Sequence, residues 1–173
     1  MDITKLEPEK VFRHFQEISR IPRNSGDTKK ISDYLAGFAK DNELEYYQDD
    51  WNDVIIIKEG SEGRENEEPL IMQGHMDMVC ARTEDSPLDP AKDGVDVIID
   101  GDYVHADRTS LGGDDGIAIA MRPAALAPAV GVSRLVQAII NITTAAVRLI
   151  MHTTSTNLSN LLFSTFIGRS LYC

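Results

Sequence analysis

The chain has 173 residues, 42% of them hydrophobic and 26% charged, which is the composition of a folded globular protein large enough to bury a core, and excludes a disordered tail. A balance of 17 Lys and Arg against 28 Asp and Glu gives a formal charge of −11, which argues against a general grip on nucleic acid or on an anionic membrane surface. The two cysteines, Cys80 and Cys173, are too few for a disulfide framework and belong to no CxxC zinc motif.

In chain order, Pro8 suits a first helical turn, with Glu7 and Glu9 near the positive end of the helix dipole. Val11, Phe12, Phe15 and Ile18 then make an apolar stripe that Pro22 ends. A second helix is predicted after Asp27 as N-cap, with Ile31, Tyr34, Leu35, Phe38 and Ala39 on one face. The pattern then changes to strands over residues 53–58 and 69–73, joined by a Gly- and Glu-rich stretch, 59–68, that reads as a solvated hairpin loop. Residues 95–99 and 103–105 flank Asp100-Gly101, a strong hairpin signal. Helices, strands, Gly-rich loops and a further helical start together predict an α/β layered fold. The first residues lack the apolar run of a signal peptide, which predicts a cytoplasmic setting.

Charge divides the chain at Met121. Residues 1–121 carry 13 basic and 28 acidic residues, a net −15, whereas 122–173 hold four arginines and no acid. An ordinary surface mixes both signs, so 122–173 reads as a divergent tail rather than a continuation of the first domain. Its apolar stretches are too short or too polar to span a bilayer, so no membrane is expected. Leu135–Ile150, apolar and without negative charge, is instead a segment prone to aggregate in a poorly folded product.

Two clusters could carry chemistry. Gln73-Gly74-His75-Met76-Asp77-Met78-Val79 follows a predicted strand, where open α/β sheets present ligand-binding groups. His75 supplies an imidazole nitrogen suited to Zn2+, and Asp77 is placed to orient that ring; a strand-end His bonded to a nearby Asp also needs no metal. Leu111-Gly112-Gly113-Asp114-Asp115-Gly116 lets the backbone come close and ends in two acids at a helix start. An Asp there is also an ordinary N-cap, and without GK[ST] the loop does not suit phosphate. The spacing of Asp93, Asp96, Asp100 and Asp102 is not that of a calcium loop. Cys80 has no base motif beside it and reads as a buried structural thiol; His14 reads as a surface or half-buried residue, His105 as structural, and Trp51 with Tyr46 and Tyr47 as core or edge packing.

Taken together, Gly74-His75-Met76-Asp77-Met78-Val79, Asp100-Gly101-Asp102, Leu111-Gly112-Gly113-Asp114-Asp115-Gly116 and the segment Ile18-Ser19-Arg20-Ile21-Pro22-Arg23 with Ser25-Gly26 resemble the aminoacyl-histidine (Xaa-His, or cytosolic non-specific) dipeptidases. The resemblance runs from about Leu6 to Met121 and stops there. It implies part of an α/β zinc-peptidase catalytic domain with two Zn2+, or Mn2+ or Co2+, and a dipeptide substrate attacked by metal-bound hydroxide. It also implies a separate lid or dimerisation domain, so that a homo-oligomer is an expected state. His75 would bind one metal, Asp77 would be the catalytic-site aspartate, and Asp114 would bridge both metals.

The family's next element carries a Glu-Glu pair supplying the general base and a ligand, and the family adds a further Asp and a distant His. This chain has no acid after Asp115, and its one later histidine, His152, lacks those surroundings. Arg108 stands where the family has a small residue, often Gly. The expectation is therefore a peptidase half-site, incomplete and weakly active or inactive by itself, with a truncated, frame-shifted or unrelated end. The alternative is a non-catalytic metal- or partner-binding module.

Overall fold

The computed structural model describes residues 2–126 and 135–140, all within the unit Met1–Asn141. After a short 3-10 turn, Ile3–Lys5, come α1 (Glu9–Ser19) and α2 (Lys29–Asp41). Strands β1 (Glu45–Gln48), β2 (Val54–Lys58) and β3 (Leu70–His75) follow, then β4 (Val97–Asp100), β5 (Tyr103–Ala106), α3 (Gly113–Leu126) and β6 (Leu135–Ile140).

Both early helices form where the apolar spacing predicts them. In α1, Phe15 and Ile18 are buried, and in α2 Ile31, Leu35 and Ala39 are. The N-cap of α2 is Thr28, one residue beyond the predicted Asp27. Alignment of these faces with a sheet, rather than capping, sets the boundary by a residue.

The strand order in the main sheet is β1-β2-β6-β3. β6 runs antiparallel to β2 and parallel to β3, pairing Ile139 with both Val54 and Gly74. The expected hairpin across 59–68 is therefore corrected: that segment joins two strands that are not neighbours, because β6 lies between them. Two short apolar runs separated by a polar loop look alike whether they pair with each other or with a third strand. β1 was not expected. Its Tyr46 and Tyr47 are exposed and Trp51 beyond it is 61% exposed, so β1 is an edge held by pairing with β2, and Trp51 is not core.

β4 and β5 form a separate two-stranded ribbon in which Asp100 pairs with Tyr103. Gly101, at φ 57, takes the first central turn position, which in a two-residue hairpin requires a positive φ. A single apolar cluster draws on every layer: Phe15 and Ile18 from α1, Ile31, Leu35 and Ala39 from α2, Val54 and Ile56 from β2, Ile119 and Ala120 from α3, and Ile139 from β6. α2 packs on β1 and β2, and α3 packs on α1 and β3. The fold is thus α/β, as expected.

The tail readings fall mostly outside this description. His152 and residues 141–150 of the aggregation-prone stretch lie outside the described residues, as does most of 122–173. No helix among the described residues is long and apolar enough to cross a membrane.

Candidate active site

β3 and β6 run parallel and end together at the pair His75↔Ile140. The C-terminal edge of parallel strands is where α/β folds place ligand-binding groups, because the loops that leave it diverge and open a crevice. The loop after β3 carries Met76, Asp77 and Met78, all buried, so His75 stands at the rim with its chain fixed behind it. Facing this edge, α3 opens with Asp114 and Asp115 in non-helical conformations, joined by a cis peptide, and the Asp114 side chain is exposed.

The structure brings His75 and Asp114 together across 39 positions of sequence, with His75 Nε2 3.3 Å from Asp114 Oδ1. On the other side of the ring, His75 Nδ1 is 3.0 Å from the backbone oxygen of Asp77. A carbonyl oxygen only accepts, so Nδ1 carries the hydrogen and the Nε2 edge is turned toward the Asp114 carboxylate. Asp77 Oδ1 lies 3.3 Å from Nδ1 without an aligned hydrogen bond. The ring is therefore oriented chiefly by the carbonyl of Asp77 rather than by its carboxylate. That carboxylate is 7% exposed by residue and accepts a 2.6 Å hydrogen bond from Ser25 Oγ. Ser25→Ala leaves this buried carboxylate without its donor and is expected to lower unfolding free energy by about 1–3 kcal/mol, read from urea denaturation.

Two donors suit one cation here. Bonds of about 2.0–2.1 Å meeting at about 109° separate their donor atoms by about 3.3 Å, the spacing found between Nε2 and Oδ1. Among the described residues no group of three or more His, Cys, Asp or Glu is disposed to hold a metal. The chain thus presents a pair of donors and not a closed coordination shell.

Ser110 ties the loop before α3 to the segment that follows β3. Its Oγ donates to Val79 O at 2.6 Å and accepts from Ala81 N at 3.1 Å, and its own N–H donates to Ala81 O at 2.9 Å. Arg108, two residues earlier, has φ 56, a left-handed conformation that a residue without a side chain adopts more readily. Its guanidinium is held by Asp107 and by the backbone and carboxylate of Asp85.

Arg23 and Ser25 belong to the segment that carries the resemblance, but no signal in the sequence assigns either a chemical role. Arg23 is fully buried and donates to Met76 O at 3.1 Å and Gly112 O at 2.6 Å, partners 53 and 89 positions away. Separations of that size leave no local pattern. Cys80 is half-buried, not buried, and burial pushes its thiol above the ordinary value, which disfavours the nucleophilic thiolate. His105 is exposed on β5, and His14 is half-buried against Glu17 and the edge of Phe38.

No protein-family profile matches the chain. The chain is 33% identical over 126 residues to the cytosol non-specific dipeptidase of Escherichia coli (strain K12), a match covering 73% of this chain and 26% of that protein. Among solved structures it is similar to the aminoacylhistidine dipeptidase from Vibrio alginolyticus, with TM-score 0.80 and 27% identity over 90% of this chain and 32% of that one. The aminopeptidase PepT from Bacillus cereus shares the fold at TM-score 0.65 and 17% identity, over 86% of this chain and 40% of its own. The chain therefore spans about a quarter of the curated relative and about a third of the Vibrio enzyme. By sequence and by fold, this chain resembles a part of the aminoacyl-histidine dipeptidases.

Proposed function

We propose that this chain carries one half of a metal-dependent dipeptidase site, with His75 and Asp114 as donors to a divalent cation and Asp77 as the aspartate behind them. The observation that supports it is the 3.3 Å approach of His75 Nε2 to Asp114 Oδ1 at the end of a parallel strand pair. In this reading His75 presents Nε2 because its Nδ1 hydrogen is engaged by Asp77 O, and Ser25 holds the Asp77 carboxylate in place. Asp114 adds negative charge at the start of α3, where the helix dipole favours an anion. A bound Zn2+, or Mn2+ or Co2+, supplies Lewis acidity toward a peptide carbonyl and lowers the pKa of water. A second such ion, which Asp114 would also help to hold, a dipeptide substrate of the Xaa-His kind, a homo-oligomer and a cytoplasmic setting belong to the same reading.

The chain by itself is incomplete in this account. It has no Asp or Glu after Asp115 to serve as general base, and a missing base costs typically 10²–10⁴-fold in rate. Calorimetry with Zn2+ on the 173-residue chain and on His75→Ala tests the site. Binding is expected in the wild type, with a fall in affinity of more than about 100-fold in the variant, beyond the loss caused by removing an outer partner. Equal binding by the two proteins overturns the half-site and favours a module that does no chemistry here. Hydrolysis of a Xaa-His dipeptide at the rate of an intact metallopeptidase overturns the claim of incompleteness.

A further inference from the structure

We propose that Arg23 is a positioning residue that sets the spacing between the two halves of the site, holding the loop of His75 and the loop of Asp114 at one fixed separation. This rests on the reading of His75 and Asp114 as a donor pair. Arg23 lies just after α1, on neither of the loops it joins. Its Nη1 donates to the carbonyl of Met76, the residue after His75, and its Nη2 to the carbonyl of Gly112, two residues before Asp114. Its own backbone is pinned to the first loop, since Met78 N donates to Arg23 O at 2.9 Å and Asn24 bridges to Met78.

The seat is built for the guanidinium. A Cβ at Gly112 would come 2.5 Å from Arg23 Nη2, and one at Gly116 would come 2.6 Å from the same atom. The two glycines therefore admit the side chain from the loop and from the first turn of α3. Burial draws the group down to about 10, against the charges of Asp77 and Asp115, so it stays a cation at neutral pH. Burying a cation completely, with Nε lacking a hydrogen-bond partner among the described residues, is unfavourable for a group that only fills space. An apolar side chain would fill the volume at less expense. What it cannot do is tie two carbonyls from distant loops with one planar fork, and neither can the single point of a lysine.

The test uses the full chain as wild type, Arg23→Met, Arg23→Lys, Gly116→Ala and His75→Ala, with urea midpoints recorded for each. Arg23→Met is expected to weaken Zn2+ binding by about 10–100-fold, the range for losing a partner that orients a ligand. Arg23→Lys recovers part of that loss, and Gly116→Ala weakens binding although alanine favours a helix. Unchanged affinity in a folded Arg23→Met overturns the proposal. Should that variant not fold, Arg23→Lys and Gly116→Ala decide in the same way. If the wild type binds no Zn2+, or His75→Ala binds as well as wild type, the donor-pair reading fails separately. Metal-free crystal structures then judge Arg23: a His75 Nε2 to Asp114 Oδ1 separation widened in Arg23→Lys beyond about 4.2 Å, twice a Zn–N bond, supports positioning. A separation unchanged from 3.3 Å overturns it.

Discussion

Ile139→Asp is expected to unfold the chain. Ile139 is 1% exposed, in register with the buried Val54 on one side and Gly74 on the other, at the centre of the sheet. The substitution removes a packed aliphatic side chain, worth about 2–5 kcal/mol. It also buries a carboxylate whose desolvation costs several kcal/mol more, unless it takes up a proton. Domains are stable by about 5–15 kcal/mol, so the two losses together reach the whole margin. Loss of far-UV circular dichroism and of a cooperative urea transition is the expected result. A variant with the wild-type midpoint would mean that β6 does not stand between β2 and β3. Ile139→Val, which deletes one methylene in place, is the control and is expected to lower stability by only about 0.5–1.5 kcal/mol.

Gly94→Ala has the next largest effect. Gly94 is buried at φ 76, where the chain between residues 89 and 95 crosses the end of α1 and Val95 N donates to Ser19 O at 2.7 Å. A Cβ there would overlap Arg20 O and come within 2.6 Å of Arg20 C, both backbone atoms that cannot swing aside. A left-handed conformation costs a non-glycine residue about 1–2 kcal/mol, and forced overpacking adds about 1–3. The expected loss is thus about 2–5 kcal/mol, a fall of about 1 M or more in urea midpoint. Gly26→Ala separates the two causes: Gly26 has φ 88 but nothing within 4 Å of an added Cβ, so only the conformational part applies. Equal effects at the two positions would show that the contact with Arg20 carries no energy.

The early helices, and His75 and Asp114 as separate candidates, were legible because their signals are local. Phe15 and Ile18, and Ile31, Leu35 and Ala39, repeat at helical spacing and are buried as that spacing requires. His75 follows an apolar strand and Asp114 follows a glycine loop, and each residue type points to its own chemistry. The exposed edge strand β1 was not legible, since Glu45, Tyr46 and Tyr47 present no buried alternation and the strand exists by pairing with β2.

From its own residues, then, the chain determined two amphipathic helices and a hairpin at Asp100–Tyr103, and offered His75 and Asp114 as candidates. Tertiary structure alone decided that β6 separates β2 from β3, that His75 meets Asp114, and that Arg23 ties their loops from beneath. The reason is range. Periodicity and turn chemistry act over a few residues, whereas strand partners and a buried guanidinium's acceptors are chosen by packing among segments up to 89 positions apart.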